Sequence, residues 1–171
     1  MNTDLQKTHL FLTGEKQVGK STLIKKLLSD NTRDLCGFFT VRICSTSDGL
    51  WYTHLIRPGE APSADNILFC CSDKSADSSE RFDILGCRAL EESGDLILMD
   101  ELGPHEEKAY NFKKRVLDLL NGSTPILGVL QKADSEFLNS IACHSNVRVV
   151  EVTRGNRDSL YDKLMYYIEK L

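Results

Sequence analysis

The chain has 171 residues, of which 41% are hydrophobic and 27% are charged, a composition typical of a soluble globular protein. This length suits one hydrophobic core, so we expect a single domain over residues 1–171. The net charge of -4 argues against a surface dominated by nucleic-acid binding, because such binding depends on clustered Lys and Arg.

The N-terminal residues 1–7 have no long apolar core of the kind found in signal peptides. The longest apolar runs are also far too short to cross a membrane. We therefore expect a cytoplasmic protein without a membrane partner. Its cysteines lack the spacing of a disulfide scaffold, and we expect them to be buried free thiols. They are Cys36, Cys44, Cys70, Cys71, Cys87 and Cys143.

The first predicted elements are a strand, a helix and a pair of strands. Residues 9–12 form a short apolar run, which predicts a buried strand. From Lys20 onward, apolar residues recur at the spacing of one helix face. Residues 38–44 and 50–56 predict two strands, and the turn-rich segment 45–49 between them indicates an antiparallel hairpin.

Residues 57–80 are rich in Pro, Gly, Ser and Asp and are the least regular part of the sequence. We expect an irregular loop there, with short strands at 67–70 and 81–84. From residue 87 the pattern becomes regular again. It predicts helices at 87–92, 107–120, 135–142 and 160–171, and strands at 96–99, 125–130 and 147–152. Strands that alternate with helices predict an α/β fold with a mainly parallel sheet covered on both faces.

The most informative motif is GEKQVGKS at residues 14–21, which fits G-x-x-x-x-G-K-[ST] between a predicted strand and a predicted helix. Glycines let the backbone approach phosphates, and the N–H groups of the loop and the helix N-terminus bind the anion. We expect Lys20 to contact the β- and γ-phosphates and the Ser21 hydroxyl to bind Mg2+. The predicted nucleotide-binding residues here are Gly14, Glu15, Lys16, Gln17, Val18, Gly19, Lys20, Ser21 and Thr22.

Two carboxylates, Asp100 and Glu101, end the buried strand predicted at 96–99. In an open α/β sheet, ligands bind outside the carboxyl ends of the strands, so Asp100 is expected near the phosphate loop as a magnesium ligand. Glu101 is expected to orient or deprotonate the attacking water. Alternatively, both are solvated acids in front of the following helix.

Other segments resemble a known family. They are GFFT at 37–40 with Arg42, DELG at 100–103, and VTRGNRD at 152–158. In this order, and with the phosphate loop, they resemble the cancer-related nucleoside-triphosphatase family over nearly the whole chain. The resemblance implies a RecA-like P-loop NTPase fold, a three-layer α/β sandwich with an antiparallel hairpin at about 38–56. It also implies slow hydrolysis of ribonucleoside triphosphates such as ATP or GTP to the diphosphate and phosphate.

The same match implies further site residues. Asn156 and Arg157 are candidates for contacts with the base, or else they begin a helix with Asn156 as its N-cap. Arg42 either stabilises charge on the γ-phosphate or pairs with a carboxylate on the strand surface.

The sequence departs from the family in two places. Residues 15–17 are Glu, Lys and Gln where Pro or Gly is usual, and Gly103 is followed by Pro104-His105-Glu106 rather than Lys-Met-Glu. Glu106 is therefore retained, either to support Glu101 or to begin a helix.

Three other functions remain open. A GTPase switch would use residues 100–103 as D-x-x-G and QKAD at 131–134 as a guanine-reading motif, although Pro104 replaces the water-orienting Gln of Ras-like proteins. A small-molecule or nucleotide kinase would need an acceptor pocket and a lid, for which Arg57 and Arg81 flank the irregular segment. A module with negligible turnover would act through a protein partner that the sequence does not identify.

Overall fold

The computed structural model describes residues 7–29, 31–72 and 78–170. The N-terminal segment, the predicted helix end at residues 29–31 and the Ser/Asp-rich patch at 72–79 therefore lie partly outside the described residues, as does the end of the last predicted helix.

A seven-stranded sheet runs through the molecule in the order β4-β3-β2-β5-β6-β1-β7. Five neighbouring strands, β2, β5, β6, β1 and β7, are parallel, whereas β3 pairs antiparallel with both β2 and β4. The strands are β1 (His9–Thr13), β2 (Leu35–Cys44), β3 (Trp51–Ile56), β4 (Ile67–Cys70), β5 (Leu96–Leu102), β6 (Ile126–Leu130) and β7 (Val147–Glu151). The predicted α/β fold and its hairpin are confirmed.

Helices cover both faces of this sheet. They are α1 (Lys20–Ser29), α2 (Ser79–Arg81), α3 (Cys87–Glu91), α4 (Tyr110–Leu120), α5 (Glu136–Ala142) and α6 (Arg157–Lys170). Side chains alternate along β1, so Leu10 and Leu12 pack in the core beneath α1 and α6, whereas Phe11 packs with α4 and α5 on the other face. The result is a three-layer sandwich.

The strand predicted at 81–84 is wrong, because this segment is helical. α2 continues into a π-helical turn, Phe82–Gly86, and then into α3. The Phe82 ring packs against the Phe112 ring at 5.7 Å between centroids, and a Cβ on Gly86 would lie only 2.4 Å from Phe112. The two residues that face the core are thus four apart, which is a helical spacing.

Two smaller expectations also need correction. The helix predicted from residue 107 begins at Tyr110, because Pro104–Lys108 form a separate 3-10 turn. Among the six cysteines, which are all free thiols, Cys36 alone is buried. The other five are half-buried or exposed. Cys44 and Cys70 end β2 and β4, Cys71 follows β4, Cys87 begins α3 and Cys143 follows α5.

Candidate functional site

The predicted phosphate loop connects β1 to α1 and turns tightly. Gly14 has φ 142 and Gly19 has φ 100, a region that favours glycine. A Cβ on Gly14 would lie 2.2 Å from the carbonyl oxygen of Val152, so a larger residue does not fit there. Gln17 also has a positive φ of 62, which marks backbone strain within the loop.

The remaining loop residues divide between core and surface. Val18 is buried with the β1 side chains, whereas Glu15, Lys16, Ser21 and Thr22 are exposed. Lys16 nevertheless lines a cavity of about 300 Å³ together with Gly14 and Glu15.

Lys20 is the buried cation of this loop. Its Nζ donates hydrogen bonds to the carbonyl oxygens of Gly14 and Glu15, both at 2.8 Å. Burial lowers the pKa of Lys20, and the nearby carboxylate of Glu101 partly offsets this effect. Lys20, Glu101 and Gln131 line the same cavity of about 300 Å³, which we call the loop cavity.

Asp100 and Ser21, the two expected magnesium ligands, line a second cavity of about 350 Å³ beside α1. Asp100 is 8% exposed, and its Oδ1 is buried without a hydrogen-bond partner among the described residues. Burial, and then the charge of Glu101, raise the pKa of Asp100 to about 6. A hydroxyl and an unpartnered carboxylate oxygen that line one cavity form a donor set that suits Mg2+.

Glu101 follows Asp100 within β5 and adopts φ 69, a conformation that is costly for a residue other than glycine. The register between β5 and β6 shifts at this point, between Met99 and Leu102. The distorted backbone places Glu101 in the wall of the loop cavity and of a larger neighbour of about 540 Å³, which we call the hairpin cavity.

Arg42 lies on β2 in the wall of the hairpin cavity, which it shares with Glu101. Its guanidinium stacks over the Trp51 ring at 5.3 Å from the centroid. Among the described residues it forms no ion pair, so its partner there is an aromatic ring rather than a carboxylate.

Glu106 is 2% exposed and lies in the 3-10 turn after β5. Its Oε2 accepts a hydrogen bond from the Gly103 N–H at 3.0 Å, so Glu106 fixes the start of this turn. Burial raises the pKa of Glu106 to about 8, which makes it a neutral carboxylic acid near pH 7.

Asn156 and Arg157 lie between β7 and α6, and the structure separates their environments. The Asn156 side chain accepts from the Thr153 N–H at 2.8 Å and donates to the Glu151 carbonyl at 2.9 Å, so it stabilises its own turn. Arg157 instead reaches the phosphate loop, because a Cβ on Gly19 would lie 2.7 Å from its Cδ.

The segment 131–134 contains Gln131, which the sequence did not identify as a candidate catalytic residue. Gln131 follows β6, the strand between β1 and β5, and it lines both the loop cavity and the hairpin cavity. Its carboxamide lies against Gly103, where a Cβ would be 2.7 Å from the Gln131 Cδ. The only signal in the sequence was its position directly after the apolar run at 125–130, which predicts a buried strand.

The rest of this segment has structural contacts. Lys132 pairs with Glu15 at 3.1 Å and with Glu151 at 2.7 Å. Asp134 is exposed, and Ser135 rather than Asp134 caps α5 by accepting from the Leu138 N–H at 3.3 Å.

A glycine-rich loop between β1 and α1, facing an acidic pair in a parallel strand, defines a P-loop nucleotide-binding protein. The family model described as NTPase matches residues 9–165. The chain therefore belongs to the NTPase family, and it is a nucleoside-triphosphatase.

Curated relatives and solved structures agree with this assignment. The chain is 26% identical over 166 residues to the nucleoside-triphosphatase THEP1 of Thermotoga petrophila, covering 94% of this chain and 92% of that protein. It is 28% identical over 178 residues to the THEP1 of Caldivirga maquilingensis, with 95% of each chain covered.

Two solved structures share the fold. The crystal structure of THEP1 from Aquifex aeolicus superposes with a TM-score of 0.74 at 22% identity, covering 94% of this chain and 99% of that one. The solution structure of a human cancer-related nucleoside triphosphatase has a TM-score of 0.63 at 22% identity, covering 94% and 97%. The family resemblance inferred from the sequence motifs is thus confirmed.

Two observations concern only the part of the chain that the structure describes. None of its helices has both the length and the apolar character needed to span a membrane. It also contains no cluster of three or more His, Cys, Asp or Glu side chains arranged to hold a metal.

Proposed function

We propose that this nucleoside-triphosphatase hydrolyses ATP or GTP to the diphosphate and phosphate, with Mg2+ and with slow basal turnover. The observation that carries the proposal is the loop cavity, which is lined by phosphate-loop residues, including Lys20, together with Glu101. A cation for the phosphates and a base for the water thus lie side by side.

The phosphate loop and Lys20 bind the triphosphate in this proposal. The loop N–H groups and the N-terminus of α1 hold the anion, and the Lys20 ammonium binds the terminal phosphates. Ser21 and Asp100 would hold Mg2+, which neutralises charge on the β- and γ-phosphates when bound. The unpartnered Oδ1 of Asp100 supports its assignment as a ligand.

Glu101 handles the attacking water in this proposal. Its carboxylate accepts the proton of the water as the oxygen attacks the γ-phosphorus. The Gln131 carboxamide, which lines the same cavity, orients that water through a hydrogen bond. Arg42 approaches from the hairpin side, where its positive charge stabilises charge that develops on the γ-phosphate.

The nucleoside is proposed to extend toward α6. Arg157 covers Gly19 and is the better candidate for a nucleotide contact, because the Asn156 amide is already bonded within its turn. We further propose that residues 1–171 act as one NTPase domain in the cytoplasm.

The decisive experiment measures turnover of the four ribonucleoside triphosphates with and without Mg2+, using wild type and Glu101→Gln. The substitution preserves size but removes the base, so turnover should fall by about 100-fold or more while nucleotide affinity is retained. Glu91→Gln, an exposed glutamate on α3, is the matched control and should keep wild-type turnover. Equal turnover in Glu101→Gln would show that another group activates the water.

A GTPase switch predicts a different result in the same assay. It requires strong GTP preference that Asp134→Ala abolishes. Lys132 bridges Glu15 and Glu151 and Ser135 caps α5, so these two residues have structural roles that require no guanine. We therefore expect Asp134→Ala to leave the ratio of ATP to GTP turnover unchanged.

A further inference from the structure

The hairpin cavity lies next to the position assigned to the γ-phosphate. Many of its lining residues lie on β2, β3, β4 and β5, the half of the sheet that lies opposite β7, and others, such as His105 and Gln131, come from the segments that follow β5 and β6. Glu101 and Gln131 line both this cavity and the loop cavity. A molecule in the hairpin cavity would therefore face the γ-phosphate across the same two side chains that are proposed to handle water.

The size and lining of the hairpin cavity suit a small ligand. Its volume of about 540 Å³ falls within the range of about 300–1,000 Å³ that is usual for small-molecule sites. Phe69 and His105 form an aromatic wall, with 5.3 Å between their ring centroids. Thr40 and Thr53 add hydroxyls on the neighbouring strands. A ligand with a flat ring and several hydrogen-bonding groups would match this lining.

Two carboxyl groups in the wall restrict the charge of the ligand. Glu101 and Glu106 both line the cavity, and Glu106 holds the turn that carries His105. Arg42 opposes them but is already stacked on Trp51. The Glu101 carboxylate repels an anionic phosphate, whereas both this carboxylate and the neutral carboxyl group of Glu106 can form hydrogen bonds with the hydroxyls of a neutral sugar. An uncharged ring compound with hydroxyls fits better than a nucleotide.

We propose that the hairpin cavity binds a ribonucleoside and that the enzyme transfers the γ-phosphoryl group to one of its hydroxyls. This inference rests on the proposed function, because it uses the same triphosphate site. A bond forms between the hydroxyl oxygen and the γ-phosphorus, and the bond from the γ-phosphorus to the β,γ-bridging oxygen breaks. The hydroxyl proton passes to the Glu101 carboxylate, and the products are a nucleoside monophosphate and a nucleoside diphosphate.

The test uses ATP labelled with ³²P at the γ-position, Mg2+ and, in separate reactions, adenosine, guanosine, cytidine and uridine. At least one nucleoside should yield labelled monophosphate with a matching fall in labelled inorganic phosphate. Label only in inorganic phosphate with all four nucleosides would overturn the inference and leave hydrolysis intact. Absence of both labelled products would overturn the proposed function as well, so the two failures are distinguishable.

Variants then locate the acceptor. Phe69→Ala and the near-isosteric Thr53→Val should raise the KM for the nucleoside by about tenfold and leave hydrolysis within about twofold of wild type, since neither residue lines the loop cavity. Tyr166→Ala removes an aromatic ring that is 56% exposed on α6 and should change neither reaction. Unchanged transfer kinetics in both cavity variants would show that the acceptor binds elsewhere. If added AMP is labelled in preference to all four nucleosides, the inference that the acceptor is an uncharged nucleoside is wrong.

Discussion

One of the three ammonium hydrogens of Lys20 is not used in the two hydrogen bonds that this group donates to the phosphate loop. An ammonium group carries three donors, and two of them bond the carbonyl oxygens of Gly14 and Glu15. These bonds hold the side chain across its own loop, so the third donor points from a fixed position. A preorganised cation of this kind loses little entropy when it binds a phosphate.

Replacing Lys20 with Ala should lower triphosphate affinity by about 10- to 150-fold, because the spare ammonium hydrogen forms one hydrogen bond to a charged group, which contributes about 1.5–3 kcal/mol. Titration calorimetry with a non-hydrolysable triphosphate measures the loss. Lys26→Ala is the control, since Lys26 is an exposed lysine on the same helix that contacts Tyr161. Unchanged affinity in Lys20→Ala would refute the phosphate-loop assignment.

Glu106 should give the protein a pH-dependent stability. Burial raises its pKa to about 8, whereas an unfolded glutamate ionises near pH 4.3. Between these values the folded state retains a proton that the unfolded state has lost. The free energy of unfolding therefore decreases as pH rises across this window. The stability that protonated Glu106 contributes is fully present below the unfolded pKa and is lost as pH rises through the folded pKa.

Glu106→Gln should flatten that dependence between about pH 6.5 and about pH 7.5, where one proton corresponds to about 1.4 kcal/mol per pH unit at most. Urea unfolding at both pH values measures it. Asp100, whose pKa is raised to about 6, affects the pH dependence of the free energy of unfolding mainly below about pH 6.5. Glu107→Gln is the neighbouring control, because a hydrogen bond from Ser135 lowers the pKa of Glu107, and it should keep the wild-type slope.

Gly37 on β2 shows how one strand constrains the next. Its φ is 89, and a Cβ there would lie 2.1 Å from the carbonyl oxygen of Leu98 on β5. β2 therefore approaches β5 closely at Leu98. This residue lies two positions before Asp100, in the strand that carries the acidic pair. This contact gives a physical reason for glycine at the start of the GFFT segment.

Gly37→Ala should reduce the free energy of unfolding by at least about 2 kcal/mol, because it combines strained backbone with overpacking. Gly49→Ala is a matched control, since Gly49 also has a positive φ of 71 but a Cβ there meets nothing within 4 Å. We expect the control to cost about 1 kcal/mol. Equal losses in urea unfolding would mean that the contact with Leu98 contributes nothing.

Elements with clear periodicity were predictable, and those decided by packing were not. The uninterrupted apolar run at 96–99 identified β5 correctly. Residues 81–84 were misread because four residues do not separate a strand period from a helical one, and the deciding contact, Phe82 against Phe112, joins positions far apart in sequence. The π-helical turn likewise depends on Gly86 lying beneath the Phe112 ring.

The architecture of the whole molecule tolerates extensive sequence change. At 22% identity the fold still superposes on the Aquifex aeolicus structure with a TM-score of 0.74. The phosphate loop and the acidic pair were predictable because each is a short contiguous motif. Gln131 and the hairpin cavity were not, because their significance depends on strand order, which places β6 between β1 and β5.

The proposed single domain predicts one cooperative unfolding transition that the nucleotide shifts as a unit. With Glu101→Gln protein, ATP and Mg2+ at 100 times the dissociation constant should add about 2.7 kcal/mol of stability. Calorimetry should show one transition moving to higher temperature. Lys20→Ala protein at the same ligand concentrations should show a much smaller shift, because its weaker affinity lowers the ratio of ligand concentration to dissociation constant. Two separate transitions would contradict the single domain.

Glu101 places activity and stability in opposition. Its φ of 69 costs roughly 1–3 kcal/mol for a residue other than glycine, and a glycine at this position would relieve that cost while removing the proposed base. Selection of random substitutions for stability alone would therefore favour replacement of Glu101 and loss of the proposed turnover.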